Sequence, residues 1–132
     1  MSDTPDEIRD FIIAMHHSIG HVLINGLGLG VVLQAVAKRK EVESVTVIEL
    51  SKDVINLAQN HYHKMFKEKI QIINDDAFSF KTPKGKRYNY VWHDIWDSIC
   101  SDNLEQMKTL HRKYGRISDA QNSWCRYQCE QR

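Results

Sequence analysis

The stretch covering residues 20–50 constrains the fold of this chain more than any other, because its pattern predicts a strand, a turn, a helix and a second strand in direct succession. Glycines occupy every second position of the turn at 26–30, and the residues that follow, 31–40, place their apolar side chains on one helical face. A second apolar run then ends in a single acid, Glu49. The stretch is therefore typical of a parallel strand–helix–strand unit.

The position of Glu49, at the end of a predicted strand, suits a carboxylate that binds a ligand. Two parallel strands joined by a helix bring their carboxyl ends to the same edge of the sheet, so we expect Glu49 beside the glycine turn. Glycines let a ligand approach the backbone closely, and the start of the helix presents unpaired N–H groups. An acid about 20 residues after such a turn accepts hydrogen bonds from ribose hydroxyls. We therefore predict a ligand that contains a nucleoside.

Length and charge narrow the class of protein. The 132 residues are enough for one domain, and 18 basic against 17 acidic residues create no bulk electrostatic attraction for nucleic acid or an anionic membrane. No apolar run approaches the length of a membrane span, and the N-terminus lacks the basic and apolar regions of a signal peptide. We therefore expect a cytoplasmic protein that makes no contact with a membrane.

Three cysteines lie late in the chain, at Cys100, Cys125 and Cys129. An odd number of cysteines without a secretory signal favours free thiols over a disulfide framework. No second pair of ligands stands at a spacing typical of zinc sites, so the sequence predicts no metal site.

The rest of the chain alternates helices and strands. Further helices are predicted from Thr4 to near Gly20, from Ser51 to about His63 and from Asp102 to about Lys113, and further strands at 70–73 and 90–94, with a surface turn at 83–86. The residues predicted to face inward are Ile8, Phe11, Ile12 and Met15 in the first helix, Val54, Ile55, Leu57 and Ala58 in the second, and Leu104, Met107, Lys108 and Leu110 in the third. This alternation predicts an α/β fold, an open parallel sheet with helices on both faces. The first helix could instead offer a docking face to a partner.

Acids stand at three successive strand ends, at Glu49, at the pair Asp75 and Asp76, and at Asp94. In an open parallel sheet ligands bind outside these ends. The dinucleotide fingerprint requires G-x-G-x-x-G, whereas this turn has G-x-G-x-G with Val31 at the position of the last glycine. An adenosyl ligand therefore fits the pattern better than a dinucleotide does.

Residues 20–98 resemble the class I S-adenosylmethionine-dependent methyltransferases, and among them the branch that includes spermidine synthase. VLINGLGLGVVLQAV is similar to the glycine loop of that branch, VTVIEL to its ribose-binding strand and INDDAF to its adenine-binding corner. YNYVWHDIWDS resembles the strand that delivers the catalytic aspartate in aminopropyl transfer, where two acids stand three apart as Asp94 and Asp97 do. The resemblance implies a Rossmann-like sheet of about four strands in the order 3-2-1-4, without the last strands of a complete methyltransferase.

The resemblance also implies a cofactor, S-adenosylmethionine or its decarboxylated form. The implied cofactor-binding residues are Asn25, Gly26, Leu27, Gly28 and Gly30 in the glycine loop, Glu49 and Leu50 at the ribose, Asp75, Asp76 and Ala77 at the adenine, and Asp94 at the transferred group. Catalysis is assigned to Asp94 and Asp97. By its position alone, Asp94 could equally cap the following helix or anchor the amino group of the cofactor.

Some positions depart from the family pattern. Leu29 stands where spermidine synthases carry an acid, and Ile24 stands where many methyltransferases carry one. Both acids orient the amino group of the cofactor. No proline follows Asp97, and three further strands of a complete family member are missing.

The expected organisation is an N-terminal amphipathic helix at 1–19 that packs on the sheet, an adenosyl-cofactor-binding domain at 20–115, and a polar tail at 116–132 that contains no strand. Four strands leave the outer edge of the fourth unpaired, and an uncovered edge is a hazard for aggregation. We therefore expect the tail or a second subunit, as in a homo-oligomer, to cover that edge.

The main hypothesis for function is methyl transfer from S-adenosylmethionine to an unidentified acceptor. Aminopropyl transfer is the close alternative, favoured by the spacing of Asp94 and Asp97. A third alternative is a non-catalytic module that binds an adenosyl cofactor and acts with a partner. The sequence contains no acceptor motif that would rank DNA, RNA, protein and small-molecule substrates.

Overall fold

The computed structural model of the chain describes residues 12–27, 30–96, 100–124 and 126–131. Helical residues 12–17 form α1. The elements that follow are β1 Gly20–Asn25, α2 Val31–Ala37, β2 Val42–Glu49, α3 Lys52–Phe66, a 3-10 turn Lys67–Lys69, β3 Ile70–Asn74, β4 Tyr88–His93, α4 Asn103–Tyr114, β5 Ser118–Ser123 and α5 Arg126–Glu130.

The five strands in the described part of the chain lie parallel in one sheet, in the order β3-β2-β1-β4-β5. The predicted α/β class and the predicted order of the first four strands are confirmed, and the sheet has one strand more than expected. The order reverses between β1 and β4, so the carboxyl ends of β1 to β4 surround the point where ligands bind in open parallel sheets.

The fifth strand corrects the prediction that residues 116–132 contain no strand. β5 pairs with β4 from Ser118 beside Tyr88 to Ser123 beside His93. Its sequence, SDAQNS, has Ala120 as its one apolar residue and no hydrophobic alternation, so the usual signal for a strand is missing. Its inward side chains satisfy backbone groups instead, as when the Ser118 hydroxyl donates to the Tyr114 carbonyl at 2.7 Å. The expectation that the tail covers the edge of β4 is confirmed.

Two apolar clusters pack on opposite faces of the sheet because successive strand residues point to opposite sides. The first contains Val22 and Ile24 of β1 with the buried residues of α2, together with Trp92 of β4. The second contains Leu23 and Val91 with residues of α4. Trp92 therefore lies in the core, and its neighbour Val91 faces the opposite side of the sheet.

An irregular segment, residues 75–87, covers part of the second face where a helix would be usual in this fold. Ala77 and Phe80 from this segment pack in the same cluster as Leu110 and Tyr114 of α4. The segment ends in the predicted surface turn, in which Gly85 has φ +82° and Lys86 N–H donates to the Pro83 carbonyl at 3.0 Å.

Three residues that were predicted to face inward, Leu57, Lys108 and Ile12, are exposed in the structure. Leu57 is 88% exposed because Ile55 and Tyr62 set the buried face of α3, and Leu57 lies two residues, or about 200°, from Ile55. Lys108 is exposed on α4, where Met107 and Leu110 are buried.

Ile12 of α1 is 51% exposed, whereas Ala14 of the same helix and Ser18, which directly follows it, are buried. The Ser18 hydroxyl donates to the Ala14 carbonyl at 2.6 Å, and Ala14 belongs to the first apolar cluster. The predicted stripe residues Ile8 and Phe11 lie outside the described residues. Where α1 is described, a small residue rather than the predicted large stripe makes its contact with the core.

Within the described ranges, no helix combines the length and the apolar character needed to cross a bilayer. Cys100 and Cys129 are free thiols, and Cys125 lies outside the described residues.

Candidate functional site

A cleft of about 630 Å³ opens at the carboxyl ends of the strands. Of the predicted site residues, those that line it are Gly26, Glu49, Leu50, Asp75, Asp76, Ala77 and Asp94. They come from four places that lie far apart in the sequence, the ends of β1, β2, β3 and β4, and the parallel sheet brings them together as expected.

Glu49 connects the glycine turn to the start of α3. Its Oε1 accepts a hydrogen bond from the Leu27 N–H at 2.8 Å, and its Oε2 accepts one from the Ser51 N–H at 2.9 Å. The carboxylate is half-buried and lines the cleft. A carboxylate offers about four acceptor positions, so each oxygen keeps capacity for one further donor.

The glycine turn requires glycine at its first position. Gly26 has φ +98°, and a Cβ there would overlap the Asp94 carbonyl oxygen and lie 2.7 Å from its carbon. Backbone hydrogen bonds hold both segments: Gly26 N–H donates to Ile48 at 2.8 Å, and Asp94 N–H donates to Asn25 at 2.7 Å. The two strand ends therefore approach more closely than any side chain at position 26 would allow.

Asp75 and Asp76 shape the corner after β3. The Asp75 N–H donates to the Glu49 carbonyl at 3.1 Å, which joins the corner to β2. The Asp76 Oδ1 accepts from the Phe78 N–H at 2.9 Å, and the Asp76 carbonyl accepts from the Phe80 N–H at 2.8 Å. These bonds close a tight turn that presents Asp76 and Ala77 to the cleft.

Asp94 begins the loop after β4 and is buried, yet it lines the cleft. Its Oδ2 accepts from the Trp92 indole N–H at 3.4 Å. Ile95 and Trp96, which follow it, complete the wall of the cleft together with Phe78. None of these three was among the residues predicted for the site, although their position directly after a strand or corner was a usable signal.

Other predicted site residues lie behind the cleft. Leu27 and Gly30 are buried, and neither lines the cavity. A Cβ at Gly30 would overlap the Tyr62 hydroxyl, so this glycine serves the packing of α2 on α3. The predicted contacts at Gly28 and Asp97 lie outside the described residues.

The ionisable side chains among the described residues that line the cleft are all acidic. The lining contains four carboxyl side chains, those of Glu49, Asp75, Asp76 and Asp94, and among the described lining residues there is no lysine, arginine or histidine. The described cleft is thus suited to a ligand that carries positive charge. Within the same described ranges, no cluster of three histidine, cysteine or acidic residues could hold a metal ion.

Residues 6–114 match the spermine/spermidine synthase domain. The chain belongs to that family. The match includes the glycine turn, the three acidic strand ends and α4, so all described sides of the cleft lie within the synthase domain.

Curated relatives include the polyamine aminopropyltransferase of Buchnera aphidicola subsp. Acyrthosiphon pisum, 31% identical over 98 residues that cover 70% of this chain and 34% of that protein. The enzyme of the same name from Oceanobacillus iheyensis is 28% identical over 121 residues, covering 82% of this chain and 23% of that protein. The chain therefore spans about a third or less of the length of these relatives.

Solved structures with the same fold include a putative caffeoyl-CoA O-methyltransferase from Staphylococcus aureus, with a TM-score of 0.65, 18% identity, and coverage of 89% of this chain and 54% of that one. The N-methyltransferase NodS from Bradyrhizobium japonicum also has a TM-score of 0.65, with 16% identity and coverage of 89% and 65%. These similarities confirm the Rossmann-like methyltransferase fold of the synthase domain.

Asn25, another predicted cofactor-binding residue, takes part in a buried polar network. Its Nδ2 donates to His93 Nδ1 at 3.0 Å, and its side chain is 0% exposed. The other His93 nitrogen, Nε2, lies 2.9 Å from the Gln121 Oε1. Because the Gln121 Nε2 donates to the His111 carbonyl at 2.7 Å, its Oε1 is the acceptor, and His93 carries its proton on Nε2.

This network makes the stability of the synthase domain depend on pH. Burial lowers the pKa of His93 from 6.5 to about 4, and burial together with nearby Arg126 lowers the pKa of His111. Above pH 6.5 the His93 imidazole is neutral in both the folded and the unfolded chain. Between pH 6.5 and 4 it gains a proton in the unfolded chain but stays neutral in the folded protein, so the folded state loses stability as the pH falls. We expect His93 to remove up to about 3 kcal/mol of the free energy of unfolding over that interval, since one pKa unit corresponds to about 1.4 kcal/mol.

Urea denaturation at several pH values would measure this loss. The variant His93→Gln keeps a donor and an acceptor but does not titrate, so its stability should fall less between pH 7 and 4 than that of the wild type. The matched control is His63→Gln, on the exposed side of α3, which should keep the wild-type slope. Equal slopes for the wild type and His93→Gln would contradict the prediction.

Proposed function

We propose that the cleft binds the adenosyl group of S-adenosylmethionine or its decarboxylated form, with Glu49 at the ribose. The two hydroxyls of a ribose need acceptors, and each oxygen of Glu49 has capacity beyond its one backbone hydrogen bond. The backbone bonds also hold the carboxylate in place before ligand arrives, which lowers the entropic cost of binding.

The corner after β3 is proposed to hold the adenine. Asp76 uses Oδ1 for the Phe78 N–H, which leaves Oδ2 to accept from the amino group of the base. Among the described contacts no acceptor is assigned to the Ala77 N–H, so this group can donate to a ring nitrogen of the adenine. The apolar side chains of Phe78 and Trp96 offer surfaces to cover the ring.

The single observation that carries the choice of donor is the charge of the cleft. S-adenosylmethionine carries both an ammonium and a carboxylate on its tail, whereas the decarboxylated form carries the ammonium alone. Four carboxyl side chains and no described cation line the cleft, which favours the ammonium. We therefore propose aminopropyl transfer to an amine, the activity named for the relatives, as the reaction that this site serves.

The reaction needs alignment and one proton acceptor. The nitrogen of a neutral amine attacks the methylene carbon beside the sulfonium, the carbon–sulfur bond breaks, and its electron pair stays on sulfur as methylthioadenosine leaves. Because alkylamines are protonated at neutral pH, the attacking nitrogen must first lose a proton, for which Asp94 at the cleft wall is the proposed base, and the new secondary ammonium keeps its charge. Asp97 is the proposed second carboxylate for the amine.

Methyl transfer is the second candidate, because solved structures that share the fold are named as methyltransferases. The two reactions place different demands on the donor tail. Calorimetry with S-adenosylmethionine, its decarboxylated form and methylthioadenosine separates them. For aminopropyl transfer we expect the decarboxylated donor to bind at least about tenfold more tightly than S-adenosylmethionine, since pairing or repelling a partly buried charge is worth over 1.4 kcal/mol.

Incubation with 1,4-diaminobutane and each donor, followed by mass spectrometry, would identify the transferred group. Tighter binding of S-adenosylmethionine together with a methylated product would overturn aminopropyl transfer. Binding without any product in the presence of either donor would support the non-catalytic module. Failure of all three adenosyl ligands to bind would overturn both catalytic proposals.

A further inference from the structure

The adenine corner lies in a segment that has no helix or strand to hold it. Residues 75–87 leave β3, cross the second face of the sheet and return to β4. A segment without regular structure must satisfy its buried backbone groups through other partners. The carbonyl of Ala77, a buried residue that lines the cleft, is one such group.

Tyr114 supplies that partner from the last turn of α4. Its hydroxyl donates to the Ala77 carbonyl at 2.7 Å, across 37 residues of sequence, and the side chain is 0% exposed. The ring packs against His93, with centroids 5.5 Å apart, and belongs to the same apolar cluster as Ala77 and Phe80. Burial raises the pKa of Tyr114, partly offset by a hydrogen bond with the Asn25 side chain, so the hydroxyl keeps its proton and remains a donor.

Resting on the adenosyl-binding function proposed above, we propose that Tyr114 is a positioning residue for the adenine corner. Its hydroxyl fixes the peptide that follows Ala77, and the peptide that precedes it carries the N–H assigned to the base. Without this bond the turn at 76–80 keeps only its internal hydrogen bonds and can rotate away from the cleft. Tyr114 does not line the cleft and acts on it through Ala77.

The ring and the hydroxyl of Tyr114 have separable roles. The ring fills the apolar cluster, whereas the hydroxyl makes the single bond to the corner. Tyr114→Phe removes only the hydroxyl and leaves the packing in place. Tyr88→Phe is the matched control, because Tyr88 is buried in the same cluster and the described contacts include no hydrogen bond from its hydroxyl.

The test measures the affinity of methylthioadenosine and of the decarboxylated donor for the full chain by calorimetry. Tyr114→Phe should weaken both ligands by the same factor, about three- to tenfold, because the loss concerns the adenine that they share. Tyr88→Phe should leave both affinities unchanged. Placing 4-aminophenylalanine at position 114 restores a donor and should recover most of the affinity.

Hydrogen exchange of the ligand-free protein provides a second readout. The amides of Ser79 and Phe80 both donate to the Asp76 carbonyl, and they should exchange several-fold faster in Tyr114→Phe than in Tyr88→Phe. Unchanged affinity and unchanged exchange in Tyr114→Phe would overturn the inference, as would equal losses in the two variants. If the wild type binds no adenosyl ligand, the proposed function fails, and the exchange rates still decide whether Tyr114 positions the corner.

Discussion

Gly26→Ala should cost about 3–5 kcal/mol of the free energy of unfolding and abolish binding of adenosyl ligands. The backbone at position 26 has φ +98°, a region where alanine is strained by about 1–3 kcal/mol. The added Cβ would also overlap the Asp94 carbonyl, and the hydrogen bond from Asp94 N–H to Asn25 opposes the movement that would relieve the overlap. Because Asp94 lines the cleft, relief of the overlap displaces a wall of the site.

Urea denaturation and calorimetry would measure the two losses. Gly85→Ala is the matched control, since Gly85 has a similar φ of +82° but a Cβ there would meet nothing within 4 Å. This control should lose only the strain, about 1 kcal/mol, and should bind ligand normally. Equal destabilisation by the two substitutions would show that strain alone matters and that the contact with Asp94 does not.

Glu49→Gln should weaken the affinity for adenosyl ligands by about ten- to a hundredfold, although the two side chains have the same shape. Both oxygens of Glu49 accept from backbone N–H groups, and a carboxamide can accept with only one of its two ends. The amide NH₂ would face a second donor, either Leu27 N–H or Ser51 N–H. We expect the glycine turn to separate from α3, with a loss of about 1–3 kcal/mol in stability as well.

The comparison for this variant is Glu43→Gln, which lies on the same strand with its side chain 72% exposed and, among the described contacts, pairs with His21 at 3.3 Å. An exposed pair contributes little, so this control should change stability by less than about 1 kcal/mol and leave affinity unchanged. Calorimetry and urea denaturation on both variants would decide. Wild-type affinity in Glu49→Gln would exclude Glu49 as the ribose acceptor.

The parallel α/β arrangement and the position of the cleft were predictable from the sequence pattern, and the order of the first four strands from the family resemblance. Short apolar runs alternate with helical spacing, and right-handed crossovers leave few ways to assemble such units. Glu49, Asp76 and Asp94 follow from that arrangement, because each ends a strand or begins the loop after one, at the same edge of the sheet.

Other features depend on contacts that a linear pattern does not contain. β5 forms because β4 offers it an edge, and its polar sequence carries no periodicity of its own. The bond from Tyr114 to Ala77 joins residues 37 positions apart, and only the folded chain brings them together. On α3, several adjacent apolar residues allowed more than one inward face, and Ile55 with Tyr62 determined which face was buried.

Two hydrogen bonds, from Asn25 to His93 and from His93 to Gln121, link three neighbouring strands. Both donate in the same direction across the sheet. Each side chain has one role toward the next, so an exchange at one position for a side chain without the same donor and acceptor leaves a buried polar group unpaired. Substitutions at these three positions should therefore accompany one another in evolution. Among descendants of a common ancestor, we expect the three residues to be retained together or replaced together.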